Sequence, residues 1–476
     1  MTVCDPYSHA GDEPQRDIVV DWAGDNDPQK PTNWPSAKKW RIVFFVSLLT
    51  FISPFGSSML APSMEVVMSE FRSSNADLQS FTVSIYVLGY AFGPLIHAPV
   101  SELYGRQIPF LVNSALFILA NVACALSTNL PMLIVFRFIV GVVGSCPLAL
   151  GPASIADMFK QQHRGTAMAI WNLPVLFAPA IGPLVGAYLT IAGGWRWNCW
   201  FLAIGMGVLL IAMCTLFSET HAPTVLERKA CALRRQYRNP SFVSALRPKT
   251  TRRATITGAA TRPLKLLLLS PIVTTLSLCS AVSYGFIYLL FTSMTQAFTK
   301  RYGIQEPEVG LTYLGFGIGN IVANISLGLT ADRLMKRLAR GGEMKPEYRL
   351  PPLIPGSLLM PTGLLIYGWT LQYNVHWMVP EFGLFVFGLG TIYISMPVNT
   401  YLVDAFTGHA ASATAANTVL RSLGGSLLPL CGDRMYAATG DGWGNSILAF
   451  VGVAFIPAVW FIYKNGERLR KQGSPL

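Results

Sequence analysis

The sequence predicts an all-α membrane protein with about twelve transmembrane helices, folded as two six-helix pseudo-repeats. Three observations carry this. Hydrophobic residues make up 52% of the 476 positions and charged residues only 13%, against roughly 25% charge in soluble domains. The polar residues are gathered into a few intervals, leaving apolar windows close to the roughly 20 residues that cross a bilayer. One long basic interval divides six windows from six.

Taken in order, residues 1–39 form a polar tail with acids at Asp5, Asp12, Glu13, Asp17, Asp21, Asp25 and Asp27. They contain no apolar core, so no signal peptide is expected and the first span serves as its own insertion signal. Spans are expected at 40–62, 78–99, 108–128, 131–156, 166–191 and 197–217 in the N-terminal bundle, residues 40–217. In the C-terminal bundle, residues 267–464, they are expected at 270–297, 308–331, 351–371, 377–400, 410–438 and 444–463, followed by a tail at 465–476. Residues 218–266 form the linker, with Arg228, Lys229, Arg234, Arg235, Arg238, Arg247, Lys249, Arg252, Arg253 and Arg262. Cytoplasmic loops are rich in Lys and Arg, so the linker and both termini are placed in the cytoplasm. Arg333, Lys336, Arg337, Arg340, Lys345 and Arg349 after span 8 agree, as do Lys464, Arg468, Arg470 and Lys471. The formal net charge of +12 is therefore membrane topology, and no nucleic-acid partner is expected. Eight scattered cysteines show no metal or redox spacing, and most fall inside apolar windows.

Span 5 is the most unusual. Pro174, Pro179 and Pro183 each remove a backbone donor and bend the helix. Ala178, Gly182 and Gly186 recur every four residues, which lets another helix approach backbone to backbone. Between spans 2 and 3, Glu102, Gly105 and Arg106 suggest a tight turn. There glycine permits the reversal, a carboxylate can face a helix N-terminus, and arginine can reach a neighbouring helix. Asp332 and Arg333 echo this after span 8, and together these residues read as a conformational latch. Arg137 lies about two turns inside span 4, where a bare charge costs at least roughly 2.5–3.5 kcal/mol. It is a candidate for proton coupling or for binding an anionic group. Asn113, Asn172, Asn320, Asn324, Asn399, Asn417 and Arg421 add polar groups within spans. With Tyr86, Tyr90, Trp171, Tyr284, Tyr288 and Phe291 they suggest an amphipathic central cavity.

These motifs resemble the major facilitator superfamily, in its fungal twelve-span drug:proton antiporter group. The turn at Gly105-Arg106 resembles its loop motif, Arg137 with Gly141 its span-4 motif, and Ala178-Pro179-Ala-Ile-Gly182-Pro183-Leu-Val-Gly186 its span-5 antiporter motif. Asp27-Pro-Gln-Lys-Pro-Thr-Asn-Trp34, Glu219-Thr-His-Ala-Pro223, Arg262-Pro-Leu, Tyr401-Leu-Val-Asp404 and Ala415-Ala-Asn417-Thr-Val-Leu-Arg421-Ser resemble the fungal branch. Ala98, Leu103, Gln107 and Met335 depart from the loop motif and its second copy. No acid occupies the middle of span 1 or span 4.

The resemblance implies the major facilitator fold and a monomeric efflux carrier with no cofactor, driven by the proton gradient. Drugs, fungicides, polyamines or a secondary metabolite would leave in exchange for protons. The plasma membrane is the expected location, with the vacuolar membrane as the other choice. The alternatives are an uptake symporter of the same fold and a nutrient sensor that has lost transport. An enzyme is not expected, since the six histidines are not clustered with acids.

Overall fold

The computed structural model describes residues 18–159, 161–246, 252–304, 308–339, 345–406 and 410–472. Span 1 is α1 (Ser36–Met59), followed by a short helix α2 (Met64–Glu70). Spans 2 and 3 are α3 (Ala76–Tyr104) and α4 (Gln107–Ala125). Span 4 is divided into α5 (Leu130–Gly144) and α6 (Cys146–Met158), restarting at Pro147, where a missing donor is tolerated. Spans 5 and 6 are α7 (Gln161–Gly193) and α8 (Arg196–Leu216). Then come two linker helices, α9 (Ala222–Tyr237) and α10 (Arg252–Leu269).

In the second half, α11 (Pro271–Tyr302), α12 (Leu314–Ala339), α13 (Leu353–Gln372) and α14 (Met378–Ala405) are spans 7 to 10. Span 11 is α15 (Ala410–Leu427), and α16 (Gly432–Ala454) and α17 (Ile456–Gln472) follow. Gly440, at φ 75° and ψ 175°, folds α16 on itself, so its first part completes span 11 and its second part begins span 12. Ten stretches among the described residues are long and apolar enough to cross a membrane, and one of them, Ser412–Gly466, covers both of these passes. With α7 added, the chain makes the expected twelve crossings. The helix after span 12 continues to Gln472, into residues expected as a tail.

Two hydrophobic cores correspond to the two halves. One runs from Trp34 to Phe217 and takes in Tyr288 from α11; the other runs from Leu266 to Ile462.

One feature departs from an all-helical chain. Ile18–Val20 in the tail (β1) pairs in parallel with Phe242–Ser244 in the linker (β2). Both strands carry β-branched or aromatic residues. Beneath them Val20, Leu226 and Ala230 form a small core with Trp22, Leu233 and Phe242. Asp27 holds the tail in shape by accepting from the Ala23 and Gln29 N–H groups, each at 2.8 Å. These bonds keep its carboxyl below the ordinary range, and Lys229 of α9 lies 3.4 Å away. The tail and linker are thus one folded unit at one end of the bundle, called the linker end below.

His221, at the entry to α9, accepts or donates through Nδ1 to Thr224 Oγ1 at 2.8 Å. Burial, with the Arg106 guanidinium nearby, lowers its pKa to about 3. An unfolded His221 takes a proton at roughly pH 6.5, so the unfolded form binds the proton first. The junction therefore keeps full stability above about pH 6.5 and loses it as pH falls towards 3. A protease active across the range should cut residues 218–246 several-fold faster at pH 5 than at pH 7.5. His221→Gln should flatten that difference.

Candidate functional site

At the linker end, the turn from α3 to α4 has Gly105 at φ 85°, a region in which side chains are strained. Any Cβ there would strike the Glu219 carboxylate. Glu219 accepts from the N–H groups of Arg106 at 2.8 Å, Gln107 at 3.1 Å and His221 at 2.9 Å. The carboxylate at the start of α4 is therefore Glu219, from the linker side of α8, and not Glu102, which is exposed. Arg106 donates from Nε to Asp157 at 3.2 Å and from Nη1 to Ser101 Oγ at 2.5 Å. All these contacts lie within the first half and the start of the linker.

The second half repeats the ion pair at equivalent helices. Arg349, before α13, donates to Asp404 at the end of α14 at 3.0 Å. That pair is the counterpart of Arg106–Asp157, whereas the sequence suggested Asp332 and Arg333. Arg333 is exposed, and the Asp332 side chain lies outside the described residues. Acid–base adjacency along the chain did not point to Arg349 and Asp404, because that pair spans two helices.

Arg137 is buried, with 4% of its surface exposed. Its Nε donates to the Thr82 carbonyl at 2.8 Å and its Nη2 to the Ser57 carbonyl at 3.2 Å. Its guanidinium lies 5.2 Å from the Tyr86 ring centre. Arg137 therefore fastens span 4 to spans 2 and 1, and it does not reach out to a membrane surface. Ser57 continues the chain of contacts, because its hydroxyl pairs with Tyr288 Oη of the second half at 2.8 Å.

The tyrosines meet as a packed seam. Tyr86 donates to the Ser53 carbonyl at 3.1 Å, and Tyr90 pairs with the Ser53 hydroxyl at 2.9 Å. Tyr284 and Tyr288 meet with ring centres 5.1 Å apart and planes inclined at 58°. Tyr86, Tyr90, Tyr288 and Phe291 are all buried, while Tyr284 is half-buried. Trp171 donates to Thr50 at 3.0 Å, and Asn172 beside it is half-buried. Asn417 donates to Asn399 Oδ1 at 2.9 Å, leaving its own Oδ1 without a donor. Arg421 places its guanidinium 4.8 Å from the Tyr284 ring centre, and its buried Nε has no acceptor.

Span 5 lies against span 1 through its small residues. A Cβ at Gly182 would lie 2.9 Å from the Phe55 carbonyl oxygen, and one at Gly186 would fall on the Met59 carbonyl. Pro183 is buried beside them, while the Pro179 side chain lies outside the described residues. Spans 7 and 11 repeat the arrangement, with Gly424 against the Ala281 carbonyl. The sequence signal for this copy was the pair Gly424-Gly425, which reading for prolines passed over.

At the end opposite the linker, Ser80 donates to Asp433 at 3.0 Å and Arg434 pairs with Asp77, linking α3 to α16. A Cβ at Gly310 would lie 2.7 Å from Leu184 Cα, so the halves also touch there through span 5. The Arg434 side chain is 79% exposed, and such pairs contribute less than about 1 kcal/mol. Asp77→Asn is accordingly expected to change transport by less than about fivefold in a vesicle flux assay.

The sequence profile of the Major Facilitator Superfamily matches residues 46–429. The chain is 48% identical to the MFS-type transporter penM of Penicillium rubens over 95% of its length and 89% of that protein's. It is 48% identical to the efflux pump radE of Floropilus chiversii, covering 96% of this chain and 86% of that one. Among solved structures it is similar to the partially occluded inward-open xylose transporter XylE of E. coli. That match has a TM-score of 0.67 at 17% identity and covers 90% of this chain and 98% of that one. Profile, relatives and fold agree, and the chain belongs to the Major Facilitator Superfamily as a multi-pass membrane transporter, not an enzyme.

Proposed function

We propose that the protein exports small organic molecules from the cytosol in exchange for protons, by rocking its two six-helix bundles about a central site. The observation that carries this reading is the close approach of the two halves at small residues, where a Cβ at Gly425 of span 11 would lie 3.1 Å from Val87 of span 2 and one at Gly310 would lie 2.7 Å from Leu184 Cα of span 5. Small residues let helix backbones touch and slide without side chains to interlock, which suits an interface that changes on each cycle. Export is supported by the radE relative, whose name is that of an efflux pump. The proton gradient is the energy source, with no cofactor, and the monomer is the working unit. The basic linker and loops favour both termini in the cytoplasm, and such pumps act at the plasma membrane, with the vacuolar membrane as the alternative.

The test uses purified protein in sealed vesicles with an imposed proton gradient, following organic probes and internal pH together. Outward probe movement matched by inward proton movement supports the exporter. Movement of both in one direction means an uptake symporter. Binding without movement means a sensor.

A further inference from the structure

Among the described residues, six acids of the membrane-spanning helices sit at helix ends with partners of their own. Asp157 is held by Arg106, Asp404 by Arg349, Asp77 by Arg434 and Asp441 by Arg301. Asp433 accepts from Ser80, and Glu381 from the Gly315 N–H at 3.2 Å. Helices α1, α7, α11 and α15, which meet at the two glycine seams, contain no Asp or Glu. Among the described residues, Arg137 and Arg421 are cations set within the spans away from these acids.

These two differ in one respect. Arg137 donates from Nε and Nη2 to two backbone carbonyls and is only 4% exposed. Arg421 is half-buried, with its guanidinium over Tyr284 and its Nε facing no acceptor. One turn earlier, Asn417 leaves its Oδ1 unpaired, so donor and acceptor capacity lie side by side on α15. A buried donor without an acceptor is costly, and a planar guanidinium is shaped for a carboxylate or similar oxyanion. Half-buried Tyr284, whose ring the guanidinium faces, supplies the neighbouring apolar surface.

We infer that this site between the halves takes organic anions, molecules with an aromatic or apolar body and one acidic oxygen group, and rejects organic cations. The acid group pairs with Arg421, and a hydroxyl elsewhere on the same molecule donates to Asn417 Oδ1. A cation would meet Arg421 with no carboxylate to offset it. This narrows the substrate class given above, and it rests on the protein being an exporter.

The test uses the full chain and two permanently charged probes of one size, naphthalene sulfonate and a naphthyl trimethylammonium. Flux from proton-driven vesicles is measured together with equilibrium binding to detergent-solubilised protein. The anion should move at least tenfold faster than the cation. Arg421→Gln should reduce anion flux and affinity at least tenfold, and Arg421→Lys should restore part of both. Binding of the neutral naphthalene sulfonamide should change less than twofold in either variant. Equal movement of the two charged probes in the unaltered protein would overturn the inference, as would an Arg421→Gln variant that loses anion and sulfonamide binding alike. Should Arg421→Gln fail to fold, the charge preference of the unaltered protein decides alone. If neither probe moves outward, the exporter reading fails, and the anion-to-cation binding ratio still decides this inference.

Discussion

Gly186→Leu should reach the membrane and export almost nothing, with vesicle flux at least tenfold below that of the unaltered protein. A methyl at this position already overlaps the Met59 carbonyl, with Met59 C at 2.8 Å and Met59 Cγ at 3.1 Å. Backbone cannot rotate away as a side chain can. The two helices must separate, and overpacking of this kind costs about 1–3 kcal/mol. Gly182 gives an internal control. A Cβ there meets first the Ser58 hydroxyl, which can turn aside, and then the Phe55 carbonyl at 2.9 Å. Gly182→Ala should therefore retain more flux than Gly186→Ala. If both alanine variants transport normally, close packing of spans 1 and 5 is not required for transport. Surface labelling of both variants separates a transport defect from failed insertion.

Arg137→Ala is expected to lower flux by one to two orders of magnitude. Each hydrogen bond from a charged donor contributes roughly 1.5–3 kcal/mol, and the guanidinium makes two, to Thr82 and Ser57. Losing both frees span 4 from spans 2 and 1. It also loosens Ser57, whose hydroxyl carries the link to Tyr288 in the other half. Arg137→Lys keeps the charge but lacks the planar fork that reaches two carbonyls, so it should fall between the two. A flux series over Arg, Lys, Gln and Ala checks this. Equal activity for Lys and Ala would show that the two-carbonyl geometry is irrelevant. A pH profile unchanged in shape in Arg137→Lys would place the residue in positioning and not in proton transfer.

Much of the molecule could be read from local sequence. The apolar windows gave the crossings because a bilayer imposes a length on every helix. The Gly440 turn falls in the gap expected between spans 11 and 12, whereas the break of span 4 before Pro147 was not anticipated. Gly105 announced its turn, and Gly182 with Gly186 announced a close approach. The same reading misplaced the carboxylate at α4, which belongs to Glu219, 113 residues after Arg106. It also missed the Arg349–Asp404 pair, 55 residues apart, and the pairing of the tail with the linker.

The division has a physical cause. Helix length, bending and the small-residue face depend on residues within one or two turns of each other, so the sequence alone determined a two-half membrane transporter and its glycine face. Which donor meets which acceptor depends on the depth and rotation of helices far apart in the chain. Ser57 with Tyr288, 231 residues apart, and Arg421 over Tyr284 are settled only when the bundles pack. The tertiary structure therefore decided where Arg137 spends its charge and where Arg421 leaves its own unspent.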